Sequence, residues 1–175
     1  MTTIAQIKHI LDSRLAVLKG LLNKAEQQIG ADKLTELLSA RLAPDMFPLG
    51  RQISTTGSLA RLFALWCAGQ PTEVTDEDFT DLAKARAHLA AVRGEVAAIA
   101  VDDSRLADQK PMQLPGDIKF SLSGADYANE WVIPNLYFHL VTSYNILRAN
   151  GVDIGKREYM GFLLPVIMAQ MAAKG

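Results

Sequence analysis

Ile4, Ile7, Leu11, Leu15, Leu18, Leu22, Ala25 and Ile29 return at intervals of three and four residues, and the run ends at Gly30. That spacing draws one apolar stripe down a helix of about seven turns. A stripe of this length has to be covered by other long elements, and the rest of the chain supplies helices to do it. Asp32 is placed to cap a short helix over 33–39. Asp45 is placed to cap a second long helix over 45–67, with Pro48 in its first turn and Phe47, Ile53, Leu59, Leu62, Phe63 and Trp66 as its apolar content. After CAGQPTEV a third helix is expected over 76–100, starting at Thr75 or Asp76 with acidic residues where the helix dipole favours them. KPMQL and IKFSL flank Pro115, Gly116 and Asp117, which predicts a β-hairpin near 111–122. Ser123 and Asp126 have the spacing of a capping box for a fourth helix over 123–150, closed by a left-handed cap at Asn150 and Gly151. Pro134 predicts a kink in it one turn before His139. The fold expected is all-α, an antiparallel four-helix bundle with a small β-hairpin insertion, as a single domain over 1–175.

Composition removes several function classes. With 18 basic and 19 acidic residues and a net charge of −1, dispersed without a block of either sign, the chain has no electrostatic footprint for nucleic acid. Lys8, Asp12 and Arg14 come too early for a signal peptide, and no later run approaches the ~18–20 apolar residues of a membrane span, so a cytoplasmic location is expected. A lone cysteine, Cys67, can form neither an internal disulfide nor a thiolate cluster, and it is expected to be buried and inert beside Trp66. No cofactor motif is present, neither a glycine-rich phosphate loop nor a Ser-His-Asp order or an HExxH.

The chemistry that remains is concentrated on two helices. Asn135, His139 and Thr142 form a polar stripe on the fourth, with Ser143 beside it. Gln52 and Thr56 form a matching pair on the second. If the stripes face each other they make a hydrogen-bonded network inside the core, a ligand pocket or a metal centre, and the spacing alone leaves these three open. His9 and His88 read as partly exposed surface histidines. All four tyrosines, Tyr127, Tyr137, Tyr144 and Tyr159, fall in the last third of the chain, where they suit core packing, an interface or a pocket wall.

Two stretches, ARLAPDMFPLGRQ at 40–52 and IPNLYFHLVTSYNILRANGVDIGKREYMG at 133–161, together with SGADY at 123–127, are similar to an uncharacterised bacterial family of DinB-like domains. The similarity covers the chain up to Gly161 and leaves 162–175 as a tail. The resemblance implies a DinB/YfiT-type bundle, often homodimeric, in a superfamily whose better-known members hold a divalent metal with three histidines. Some of those members are thiol-dependent transferases or isomerases. On this chain the three ligand positions fall on Gln52, His139 and Ser143, so one imidazole of three remains. Tight metal binding is therefore not expected, with His139 the only candidate ligand and Asp12 or Glu26 the type of carboxylate that could rescue the site. The expectation is a pocket of Gln52, Thr56, Asn135, His139, Thr142 and Ser143 that takes a small molecule. An enzyme using His139 as acid or base and a dimeric structural module are the alternatives. The tail GFLLPVIMAQMAA is apolar, broken by Pro165 and too short for a bilayer, so it is expected to pack on its own bundle or on a partner, and a homodimer is expected.

Overall fold

The computed structural model describes residues 2–74 and 76–173. The first stripe forms α1, Ile4–Ile29, with every stripe residue from Ile4 to Ala25 buried. Thr3 and Gln6 close its start as a capping box, each side chain accepting from the other's backbone N–H. The short helix α2, Ala31–Leu37, follows directly on Gly30, so Asp32 lies in its first turn instead of at its cap.

The next helix, α3, spans Leu49–Cys67 and starts later than an Asp45 cap would place it. Pro48 is extended (φ −69°, ψ 163°), and the N–H groups of Leu49 and Gly50 donate to the carbonyls of Ala40 and Leu38, both at 2.9 Å. Those carbonyls supply the acceptors that a capping side chain normally provides.

The start of α4, Leu82–Ala97, departs furthest from expectation: its cap is Asp81, which accepts from the Ala83 and Lys84 N–H groups, and not Asp76. Thr75, the other expected start, lies outside the described residues. Residue pairing gives the reason. Ser54 meets His88 and Arg61 meets Glu95, so α3 and α4 run side by side in the same direction. A chain leaving α3 at Cys67 must therefore travel back about 28 Å, the length of that helix, before α4 can begin. The connection does this without forming a helix or strand over 70–74 and 76–81, as a strap back along α3. Its far end is pinned: Thr55 donates to the Asp76 carboxylate at 2.9 Å, Arg51 donates to the Asp76 carbonyl at 2.6 Å, and the Glu77 N–H donates to Ser54 Oγ at 2.9 Å. Phe79 is buried, and its backbone lies so close to α3 that a Cβ on Gly50 would stand 2.0 Å from the Phe79 carbonyl oxygen.

A hairpin follows α4 and a short 3-10 turn. Strand β1, Gln109–Leu114, pairs antiparallel with β2, Ile118–Ser123, around a turn in which Gly116 and Asp117 both have positive φ. With only two strands there is no inner position for Pro111 to disrupt. The Ser123 hydroxyl then accepts from the Asp126 N–H at 3.1 Å, as its spacing predicts, and opens the last long helical run. That run has three parts: α5, Gly124–Asp126, a π-helical stretch at Tyr127–Val132, and α6, Ile133–Ala149. The wider turn absorbs Pro134, because the Ile133 N–H bonds five residues back, to the Ala128 carbonyl. Gly151 adopts the expected left-handed conformation (φ 85°) beyond the end of α6.

In cross-section the order is α1, α4, α3, α6 and back to α1. The pairs Asp12–Arg93 and Glu26–Arg86 show α1 antiparallel to α4. Tyr127 against Phe63 and Trp66, with His139 against Gln52, shows α3 antiparallel to α6. Arg14–Tyr137 and Gln28–Asp153 show α1 parallel to α6. The bundle is thus up-down-down-up, with one hydrophobic core running through all four helices. Cys67 is buried in that core and burial pushes its thiol up to about 11, which makes it the inert cysteine expected. Among the described residues no helix is long and apolar enough to cross a membrane.

The described residues after α6 include α7, Lys156–Tyr159, a 3-10 turn and α8, Leu164–Ala172. Arg14 anchors the root of α8: its guanidinium lies 3.5 Å over the Phe162 ring and donates to the Tyr137 hydroxyl at 2.6 Å. Beyond that root α8 stays exposed along its whole length and does not fold back on the bundle.

Candidate functional site

Two of the polar residues expected to converge do meet across the bundle. His139 Nδ1 lies 2.6 Å from Gln52 Oε1, joining α6 to α3. Gln52 is fully buried, and its side-chain amide N–H donates to the Phe47 carbonyl at 3.2 Å. With the nitrogen engaged there, the amide oxygen is the atom that faces the ring. Nδ1 must then carry the proton and Nε2 the lone pair. His139 is half-buried, and burial lowers its pKa, partly opposed by the negative charge of Asp76. The result is a neutral imidazole in one tautomer.

The other four residues bond within their own helices, each to the carbonyl four residues back. Thr56 donates to Gln52 at 2.7 Å, Thr142 to Phe138 at 2.7 Å, Ser143 to His139 at 2.9 Å, and Asn135 to Trp131 at 2.7 Å. Thr56 and Ser143 are fully buried, and the carbonyls they bond belong to Gln52 and His139, the two residues that touch. The polar stripes therefore resolve into one contact between helices and four local bonds that hold its flanks.

Three neighbours of the pair have no signature of a site in the sequence. Asp76 reads as a helix start, because an acid in a strap has the same local signature as an acid in a first turn. Phe47, expected as apolar content of the second helix, is 48% exposed, and Phe138 is 57% exposed with its ring edge-on to the His139 ring at 5.3 Å. His88 is partly exposed, as expected, but its ring faces inward. It wedges between α4 and α3, its Nε2 3.2 Å from the Ser54 carbonyl, in space left by Gly57, where a Cβ would come within 2.2 Å of that nitrogen. Neither Asp12 nor Glu26 reaches His139, because each is paired with an arginine of α4, Arg93 and Arg86.

The family of proteins of unknown function DUF1993 matches residues 3–160. The chain belongs to the DUF1993 family. A crystal structure of a DinB family member protein from Shewanella denitrificans is 33% identical to this DUF1993 chain, covering 90% of it and 88% of that protein, with a TM-score of 0.73. No curated protein matches the chain. The DinB-like bundle implied by the motifs at 40–52 and 133–161 is thereby established for this DUF1993 member.

The donors at the three superfamily ligand positions do not suit a divalent metal in this DUF1993 chain. Gln52 Oε1 already accepts from His139, the Ser143 hydroxyl donates to a backbone carbonyl, and one imidazole remains. Among the described residues no group of three His, Cys, Asp or Glu side chains comes together in metal-binding range.

The two part-buried histidines carry a pH dependence. Burial lowers both, with Arg61 adding to the effect at His88. An unfolded chain takes up protons near pH 6.5 that the folded protein resists, so the folded state is most stable above that pH and weakens as pH falls below it. Urea unfolding is expected to give a lower midpoint at pH 5.5 than at pH 7.5, and His88→Asn and His139→Gln each to flatten part of that difference.

Proposed function

We propose that the protein binds a small neutral molecule at the Gln52–His139 pair, without turnover, metal or cofactor, and that it does so as a cytoplasmic homodimer. The 2.6 Å bond from Nδ1 to Gln52 carries this reading, because it leaves the Nε2 lone pair as a fixed acceptor on a neutral ring. A ligand with one hydroxyl or N–H donor and an apolar body answers that arrangement, its donor on Nε2 and its body against exposed aromatic surface such as Phe138. The near-zero net charge argues against nucleic acid as the partner. A second reading has its own support: a neutral imidazole that feels the Asp76 carboxylate is also a general base, suited to a transfer or isomerisation.

NMR of the His139 ring, titrated with a set of small alcohols, phenols and amides, tests the proposal. A subset is expected to shift the ring resonances, and Gln52→Leu, which releases the tautomer, is expected to weaken them about tenfold, or about 1.4 kcal/mol. Chemical conversion of a bound fragment would favour the general base over the binder. A ring that no fragment moves, with His139→Ala costing only about 1–3 kcal/mol of stability, would reduce the pair to an internal hydrogen bond.

A further inference from the structure

Every residue of α8 is exposed, including Leu164 at 49%, Val166 at 47%, Ile167 at 48%, Met168 at 69% and Met171 at 70%. With Leu163 these side chains present on the order of 600 Å² of apolar surface, the top of what one patch on a monomer carries. The helix has no ionisable residue, only Gln170 as a polar side chain.

A cleft of about 410 Å³ opens beside its root, between α1, α4 and the 3-10 turn. Ala16, Val17 and Gly20 of α1 give it a low apolar floor, Phe162 and Pro165 form one wall, and the Asp12–Arg93 pair forms part of its rim. A Cβ built on Gly20 meets nothing within 4 Å, so the floor is open to a close-packed visitor. Along α1 from His9 to Gly20 the cleft runs about 16 Å, and the nine residues of α8 run about 13 Å. The chain's own α8 departs from Pro165, at the edge of this cleft, and leaves it open.

We propose that each α8 lies in the α1 cleft of a second copy, so that the two tails are exchanged about a twofold axis near Pro165. This rests on the homodimer reading and adds its mode. The arrangement is self-complementary, as a twofold interface requires. Covering both tails and both clefts buries roughly 2,000 Å² or more, which meets the ~1,200–2,000 Å² of a stable interface. Val17 and Phe162 then lie beneath the visiting helix, and the small residues Ala16 and Gly20 let its backbone approach.

Sedimentation velocity on the full chain tests it, with the tail variant Ile167→Asp/Met171→Asp and the cleft variant Gly20→Trp. The wild-type chain is expected to be a dimer at about 10 µM, and each variant to raise the dimer dissociation constant at least tenfold while keeping the helical circular dichroism of the parent. A dimer that survives both variants, or loses strength in only one, overturns the exchange and leaves the homodimer standing. A wild-type chain that is monomeric at about 100 µM overturns both. If that monomer also co-sediments with phosphatidylcholine–phosphatidylglycerol vesicles through α8, the occupant of the tail is a lipid surface and the proposal fails.

Discussion

Gly50→Ala is expected to cost the protein about 2 kcal/mol of stability and to lower the pKa of His139 further, although a helical glycine usually gains from this change. The gain of about 1 kcal/mol in helix propensity is real. Against it stands a methyl group placed 2.0 Å from the Phe79 carbonyl oxygen, which is backbone and cannot rotate away as a side-chain end could. Overpacking of this kind costs about 1–3 kcal/mol, and lifting the strap also strips the hydrogen bonds that Ser54 and Thr55 make to Glu77 and Asp76. Asp76 is the group that raises the His139 pKa, so moving it away leaves burial unopposed. Urea unfolding measures the first effect and an NMR pH titration of the His139 ring the second. Gly94→Ala on α4, where an added Cβ meets nothing within 4 Å, is the matched control and is expected to stabilise. A His139 pKa that stays put in Gly50→Ala would mean that the strap does not hold Asp76 beside the site.

A larger loss is expected at the other end of α3. Phe63 is fully buried and packs against Trp66 at 5.8 Å and Tyr127 at 6.3 Å between ring centroids. It ties α3 to the π-helical stretch that leads into α6. Phe63→Ala is expected to cost about 3–5 kcal/mol, a large share of the 5–15 kcal/mol typical of a folded domain, and to lower Tm by about 10 °C. Differential scanning calorimetry decides it. A loss below about 1 kcal/mol would mean that the Trp66 and Tyr127 rings close over the gap.

Features set by a few neighbouring residues were legible in the sequence. The α1 stripe, the Ser123 cap, the left-handed Gly151 and the hairpin turn at Gly116 and Asp117 each depend on side chains or backbone preferences within one or two turns. The direction of α4 relative to α3 has no such local signature. Residues 68–81 are polar, acidic and punctuated by Pro71, and this describes a helix start and a return strap equally well; only the distance to be covered separates them. At Pro134 the missing N–H was legible, but the π-helical stretch that accommodates it depends on how Tyr127 and Val132 pack. The contact between Gln52 and His139 was expected only from the positions that the resemblance implied, while Asp76 acts on His139 through the strap and so stayed hidden. The tail was legible as a surface in need of cover, and the structure adds that its own bundle does not provide it.

The order of helices around the bundle also bears on how the protein is made. The neighbours of α1 are α4 and α6, while α3, which follows it in the chain, meets it mainly across the diagonal. At roughly 5–20 residues per second of synthesis, α1 leaves the ribosome many seconds before α6 exists to cover its second flank. Its seven-turn apolar face is therefore a late-closing seam. The nascent chain has to keep that seam from foreign partners until almost the last helix has been translated.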